Sequence, residues 1–171
     1  MFNKYTEVDP WKIIERGWNP ENQPKSESLF SIGNGRMGQR ANLEETYTGK
    51  SLRGSYIAGV YYPDKTRVGW WKNGYPEYFA KVLNSVNWIG IRVLLGEEEL
   101  DLNTATEVQD FYRELDMKGG ILSRSFRATT PGGKEVEVRA ERFVSIVRDE
   151  IGAIKYTVRS VNYDGPIELV S

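Results

Sequence analysis

Residues 111–147 read FYRELDMKGGILSRSFRATTPGGKEVEVRAERFVSIV, and this stretch decides the fold. Phe111, Arg113 and Leu115 alternate with Tyr112, Glu114 and Asp116. Gly119-Gly120 then turns the chain, and Leu122, Arg124, Phe126 and Ala128 alternate with polar residues. After Pro131-Gly132-Gly133, the residues Val136, Val138 and Ala140 keep the same period of two. That period belongs to strands with one buried face, and paired glycines are hairpin turn residues. Phe143, Ser145 and Val147 read as a further run, Asp149-Glu150 with Gly152 as a turn, and 153–161 and 167–170 as closing strands. Strands separated by turns every 8–12 residues or so predict an all-β fold, an antiparallel β-sandwich. Little helix is expected, with one or two turns placed only near 103–110.

Upstream the punctuation is denser. From Trp88 the β-branched residues of 88–95 favour a strand, 96–99 a hairpin turn, and Leu100 and Leu102 the opening of the next strand. Residues 63–77 read as a loop carrying Trp70, Trp71 and Tyr75 between Gly69 and Gly74. Strands are expected over 29–32, 36–45 and 54–62, with Met37, Gln39, Ala41 and Leu43 sharing one face of the second. Residues 1–25 hold Pro10, Pro20 and Pro24, which argue for an extended arm or first strand lying against the sandwich.

Gly33-Asn34-Gly35-Arg36-Met37-Gly38 matches the G-x-G-x-x-G dinucleotide fingerprint. That fingerprint needs a helix directly after it inside a βαβ unit, and residues 39–45 carry no helical stripe. A kinase glycine loop fails too, since no V-A-I-K strand or H-R-D loop follows. The expectation is a structural turn made by Gly33, Asn34, Gly35 and Gly38.

The 171 residues carry a net charge of −1, no cysteine and no histidine. Disulfides, thiolate catalysis and a Ser-His-Asp triad are therefore excluded from this chain. No basic stripe suggests nucleic acid and no apolar run reaches the length of a membrane span. The N-terminus is too polar for a signal peptide, so a cytoplasmic location is expected. No cofactor or metal is expected.

Carboxylates carry glycoside cleavage, so they are the first candidates for chemistry. Glu44 and Glu45 are adjacent and on a strand would point to opposite faces, so they cannot flank one bond. Glu97-Glu98-Glu99 reads as a solvated turn. Glu114 and Asp116 share a face and are expected opposite Arg or Lys of a neighbouring strand. Arg36, Arg40 and Arg53 crowd the glycine segment, where they would hydrogen-bond a sugar or phosphate, or pair with Glu27, Glu44 or Glu45. The candidates for carbohydrate contact are Trp70, Trp71, Tyr75, Tyr61, Tyr62 and Arg36; the alternative is packing against another domain. Trp88 is expected in the core.

The run E27-S-L-F-S-I-G-N-G-R-M-G-Q-R-A-N-L-E-E45, followed by G54-S-Y-I-A-G-V-Y61, resembles the N-terminal domain of glycoside hydrolase family 65. That family comprises the maltose, kojibiose and trehalose phosphorylases and related hydrolases. The resemblance continues through Asn87-Trp88 before Arg92, Leu100-Asp101-Leu102, Tyr112 to Gly120, Glu141 to Ser145 and Gly165 to Leu169, nearly the whole chain. Arg36, Gln39 and Ala41 depart from the family pattern, as does the insert around Trp70-Trp71. The resemblance implies that 1–171 is an N-terminal β-sandwich truncated at its C-terminus, part of a larger super-sandwich. Its partner would be the enzyme's own catalytic helical barrel, which holds the general acid and the phosphate site, and the substrate an α-glucoside disaccharide. A strand edge left open at 169–171 would invite pairing with another copy, a homo-oligomer. The role implied is a non-catalytic domain that buttresses the barrel and shapes substrate access. The competing expectation is a self-contained carbohydrate-binding module gripping sugar with exposed Trp and Tyr, and a third is a purely structural domain.

Overall fold

The computed structural model describes residues 5–67 and 76–171, and the architecture is the antiparallel β-sandwich that the alternation predicts. The main sheet has the order β1 (Thr6–Val8), β2 (Lys12–Arg16), β10 (Glu107–Asp116), β11 (Ile121–Thr129), β12 (Glu135–Val144) and β13 (Gly152–Ser160). Its neighbouring strands are all antiparallel. Smaller sheets are formed by β14 (Ile167–Val170), β8 (Arg92–Leu95) and β9 (Glu98–Glu99), and by β3 (Ile32–Gly33), β4 (Met37–Gln39) and β5 (Ser55–Ile57). A separate two-stranded ribbon is formed by β6 (Tyr61–Lys65) and β7 (Tyr78–Val82).

The period of two does what it promised in β10, β11 and β12. Phe111, Leu115, Leu122, Phe126, Ala128, Val136, Val138 and Ala140 are all buried. All but Ala140 belong to two apolar clusters on one face of the main sheet. Phe111, Phe126, Val136 and Val138 pack against Val93, Leu95, Leu100 and Leu102, with Leu43 and Tyr47. Leu115 and Leu122 pack against Phe30, Ile32 and Ala41. Each Val, Leu, Ile or Phe among them contributes about 1.5–3 kcal/mol by leaving water. Trp18 closes the first cluster, 5.0 Å from the Phe111 ring and 5.8 Å from that of Tyr47.

Several local expectations are corrected. The N-terminal arm forms two strands of the main sheet, and β2 lies in its interior between β1 and β10. Pro20 and Pro24 do not prevent regular structure. They sit at the starts of a 3-10 turn (Pro20–Asn22) and of helix α1 (Gln23–Leu29), where a missing N–H costs nothing. The inward side of α1 is polar, with Gln23, Ser26 and Glu27 buried, so it leaves no apolar stripe in the sequence. The strand read over 29–32 is displaced to Ile32–Gly33, because Leu29 ends the helix. The strand read over 36–45 stops at Gln39, and residues 41–45 are all buried rather than alternating.

The strand read over 54–62 is broken into β5 and β6 at Ala58-Gly59, where Gly59 takes φ +89°. The loop read over 63–77 begins and ends inside a hairpin: Pro63, Asp64 and Lys65 pair with Ala80, Phe79 and Tyr78, and Thr66 N–H donates to the Glu77 carbonyl. No helix forms at 103–110. A single turn follows Asp101, and β10 begins at Glu107 with a bulge in which Asp110 has φ +52°. Leu100 and Leu102 are buried in that turn rather than opening a strand. The run read over 143–147 is only the end of β12, beyond which Ile146 and Val147 are exposed. Trp88 is half-buried rather than core, its ring lying over Gly152.

Truncating Phe126, which joins Phe111 to the β8 layer, is expected to lower the unfolding free energy by about 3–5 kcal/mol. Tyr61→Ala on the exposed ribbon is expected to stay within about 0.5 kcal/mol of the parent. Urea denaturation of the two variants checks both.

Candidate functional site

A row of side chains crosses the main sheet at right angles to its strands. Glu15 on β2 stands opposite Arg113 on β10, Arg113 opposite Arg124 on β11, Arg124 opposite Ala140 on β12, and Ala140 opposite Tyr156 on β13. Arg142 lies one step along on the same face of β12, opposite Leu122. Arg113 and Arg142 are each 1% exposed, and Arg124 is buried as well. Two arginines facing each other across adjacent strands repel, so the arrangement requires acids from elsewhere.

Those acids come from the segment that follows the glycine turn, and from Glu15 on β2 for Arg113. Glu45 accepts from Arg124 Nη2 through both carboxylate oxygens at 2.8 Å, and Glu44 bonds the same nitrogen. Glu44 also accepts from Arg142 Nη1 at 2.7 Å, and Arg142 donates further to the carbonyls of Asn42 and Arg40, each at 3.0 Å. Tyr156 donates its hydroxyl to Glu45 at 2.6 Å. Arg113 donates to Gln23 at 2.7 Å and faces Glu15 at 3.5 Å. Glu27 is reached by Gln23, the Ser51 hydroxyl and the Leu52 amide. Glu44 and Glu45 therefore do not diverge to opposite faces. The backbone at 44–45 is not a strand, and both carboxylates turn onto one guanidinium.

The charge states follow from these contacts. Burial alone would push Glu44 upward, but Arg142 and Arg124 outweigh it and hold the carboxyl below its ordinary value. Burial pulls Arg124 down, and Glu45 and Glu44 more than restore it. Tyr156 is pushed up by burial and by the adjacent Glu45, so it stays a donor. Glu15 is raised by burial against the opposing effect of Arg113. Burial brings Arg113 down to about 10, with Glu15 opposing the fall.

Above Glu44 and Glu45 lies a cleft of about 400 Å³. Its walls are the β4–β5 strands and the 84–92 segment, which supply Gln39, Ser55, Asn84, Ser85, Asn87 and Arg92. The Ser85 amide donates to the Ser55 carbonyl at 2.7 Å, and Asn84 accepts from the Ser55 amide at 3.2 Å. At the rim Arg92 grips Glu99 with two bonds of 2.9 Å, which with Thr46 holds that carboxyl at about 2. Arg53 also lines the cleft and makes no ion pair among the described residues.

The other candidates from sequence lie apart from this cleft. Gly33, Asn34, Gly35 and Gly38 form the β3–β4 hairpin with no helix after it. Asn34 Oδ1 accepts from the amides of Arg36 and Met37, and Gly35 takes φ +91°. Asn34 Nδ2 ties the turn to the carbonyls of Ser145 and Asp149. Arg36 lies 3.5 Å from Asp149 and 3.9 Å from Glu150, and Arg40 donates to Leu52, Pro24 and Ser28. Neither arginine, nor Arg53, meets Glu27, Glu44 or Glu45, contrary to the pairing considered from sequence. Glu114 does meet Lys12, at 2.9 Å across β2 and β10. Tyr61 and Tyr62 stand on the β6–β7 ribbon, 56% and 57% exposed. Trp70, Trp71 and Tyr75 lie outside the described residues.

The model of the glycosyl hydrolase family 65 N-terminal domain matches residues 13–171. Maltose phosphorylase of Bacillus subtilis (strain 168) is 48% identical over 164 residues, covering 96% of this chain and 21% of that protein. The α,α-trehalose phosphorylase of Thermoanaerobacter brockii is 33% identical, covering 95% of this chain and 21% of its own length. A solved structure from the human microbiome, named as a kojibiose phosphorylase, superposes with a TM-score of 0.80 at 33% identity, over 91% of this chain and 20% of that one. The chain thus spans about a fifth of the length of these relatives.

Arg124→Met would leave Glu44 and Glu45 buried with a missing cation, and it is expected to destabilise by about 3–5 kcal/mol in urea titrations. The depressed Glu44 carboxyl contributes stability that is fully present above its ordinary value of 4.5 and is lost as pH falls through its lower folded value. Glu15, raised by burial, acts in the opposite sense: its contribution declines as pH rises from its ordinary value through its folded one. Stability measured against pH in the parent should therefore fall below pH 4.5. In Glu44→Gln that acid-side loss should be smaller.

Proposed function

The chain belongs to glycosyl hydrolase family 65, as its N-terminal domain, and on that premise we propose that it is the non-catalytic sandwich of an α-glucoside disaccharide phosphorylase. Maltose, the substrate in the name of the relative at 48% identity, is the substrate we assign to the whole enzyme. The proposed role is to buttress a catalytic helical barrel encoded elsewhere in the polypeptide, to shape the entrance for substrate and to support pairing of two copies in the cytoplasm. Among the described residues no helix is long and apolar enough to cross a membrane.

One observation carries the non-catalytic reading. The paired acids of this domain, Glu44 and Glu45, are committed to Arg124 and Arg142 and held in ion pairs. A general acid for glycoside cleavage needs a proton near neutrality and therefore a raised value. Glu44 is shifted the other way.

The exposed ribbon supports the second half of the role. A two-stranded ribbon is marginal in water unless something packs on it. Tyr61, Tyr62, Tyr78, Phe79 and Val82 present a large apolar surface there. Tyr61 and Tyr62, and by sequence alone Trp70, Trp71 and Tyr75, are the residues we assign to the barrel-facing entrance. The edge of β14 (Ile167–Val170) that faces away from β8 is the candidate for pairing of copies.

The same exposed tyrosines favour a second reading, a carbohydrate-binding module that grips sugar by itself. Incubating the purified chain with inorganic phosphate and maltose, kojibiose or trehalose is expected to yield no sugar phosphate. Turnover of any of the three would refute the non-catalytic reading. Binding of maltose lost in Tyr61→Ala or Tyr62→Ala would favour the module over the scaffold.

A further inference from the structure

We propose that the groove beside the β10–β11 hairpin, together with the Ile146-Val147 knob next to it, seats one apolar segment from the remainder of a longer polypeptide. The inference rests on reading this chain as the N-terminal domain of such a polypeptide, and it adds which face the remainder covers. It uses neither the aromatic ribbon nor the cleft above Glu44 and Glu45.

The groove opens the second apolar cluster to solvent. It measures about 580 Å³ and is lined by Ile32, Leu115, Met117, Phe143, Val144 and Ile146, with Gly33, Gly119 and Gly120 among them. Ile32 and Leu115 are members of that cluster, and Val144 packs against it. Met117 and Phe143 are exposed at the mouth. Just beyond β12, Ile146 and Val147 are 82% and 91% exposed. Hydrogen bonds hold the loop that carries them. The Ser145 amide donates to the Ile151 carbonyl at 2.8 Å, the Ile151 amide to the Arg148 carbonyl at 3.0 Å, and the Arg148 amide to the Ser145 hydroxyl at 3.0 Å. Asn34 Nδ2 fastens the same loop to the β3–β4 turn through the carbonyls of Ser145 and Asp149. A fastened loop that keeps two β-branched side chains in water, beside an open apolar groove, marks an interaction surface.

Size, tether and direction identify the occupant. A stable interface between two free molecules takes about 20–30 residues a side. The exposed apolar residues at this end of the sheet, Met117, Ile121, Phe143, Ile146, Val147 and Ile151, fall well short of that. A contact so small holds when a covalent tether keeps the local concentration high. The relatives supply such a tether, since the matched region is 21% of the Bacillus subtilis protein and 20% of the solved structure. β14 points the right way as well. From Ile167 to Val170 it passes Leu95, Leu94, Val93 and Arg92 in turn, toward the place where the Trp88 ring lies over Gly152 and Gly152 pairs with Val144. A segment continuing from β14 therefore starts at the groove's end of the sheet. Exposed Lys118 and Arg148 border the surface, so the segment that fits has an apolar ridge flanked by acids.

The test compares the whole polypeptide with the 171-residue chain. Oxidation of Met117 by peroxide, read by peptide mass, is expected to run about tenfold slower in the whole polypeptide, where the groove is covered. The double variant Ile146→Asp with Val147→Asp alters only exposed side chains, so the urea midpoint of the 171-residue chain should not move. In the whole polypeptide the same variant is expected to speed tryptic release of the domain by about tenfold. Equal oxidation rates in the two contexts, or a release rate unchanged in the variant, overturn the proposal. Protection of Met117 that disappears on dilution seats a second copy in the groove and overturns it as well. The oxidation rates need no substitution, so they decide the matter if the double variant does not fold. Phosphorolysis of maltose by the whole polypeptide is scored separately. Its absence counts against the phosphorylase reading and leaves the occupant of the groove to the oxidation rates.

Discussion

The contact between Arg124 and the adjacent carboxylates of Glu44 and Glu45 organises the rest of the structure. The row to which it belongs, from Glu15 to Tyr156, divides the apolar face of the main sheet into two. On one side lie Phe111 and Phe126 with the β8 layer, on the other Leu115 and Leu122 with Phe30 and Ile32. A buried ion pair is a weak source of net stability, because desolvation consumes most of the attraction. Its effect here is on specificity. Residues 40–45 are held over the sheet in a conformation without a ladder of their own, through Arg142 to the carbonyls of Arg40 and Asn42. α1 is held by the same means, its inward face bonded to Arg113 through Gln23 and to Glu15 through Ser26.

The same constraint sets what the domain can do. Carboxylates locked onto arginines are poor proton donors, and Glu44, beside the cleft, is held below its ordinary value. What is left to the cleft is to present polar side chains such as Asn84, Asn87 and Arg53, and what is left to the ribbon is apolar contact. These are tasks of a supporting domain. They agree with a chain that covers about a fifth of phosphorylases whose other residues lie elsewhere.

The sandwich was legible because β10, β11 and β12 are long, antiparallel and buried on one face, so their period is undisturbed by anything distant. The ionic row left a trace there too. Arg113 and Arg124 stand in phase with Phe111, Leu115, Leu122 and Phe126, and an arginine in a core phase demands a buried acid. Which acid was not legible, since Glu44 lies 80 residues from Arg124 and its backbone is irregular. Helix α1 escaped because its buried face is polar, and the prolines that open it read as breakers. The cleft escaped because segments distant in sequence, 39–46, 53–55 and 84–92, build it together.

The account turns on Glu44 being an ion-paired anchor rather than a proton donor. The direct measurement is the titration of its side-chain carboxyl by NMR in the folded chain. The account predicts a midpoint below the ordinary 4.5, with the carboxylate fully ionised at neutral pH. A midpoint of about 6–7, where a general acid operates, would contradict it.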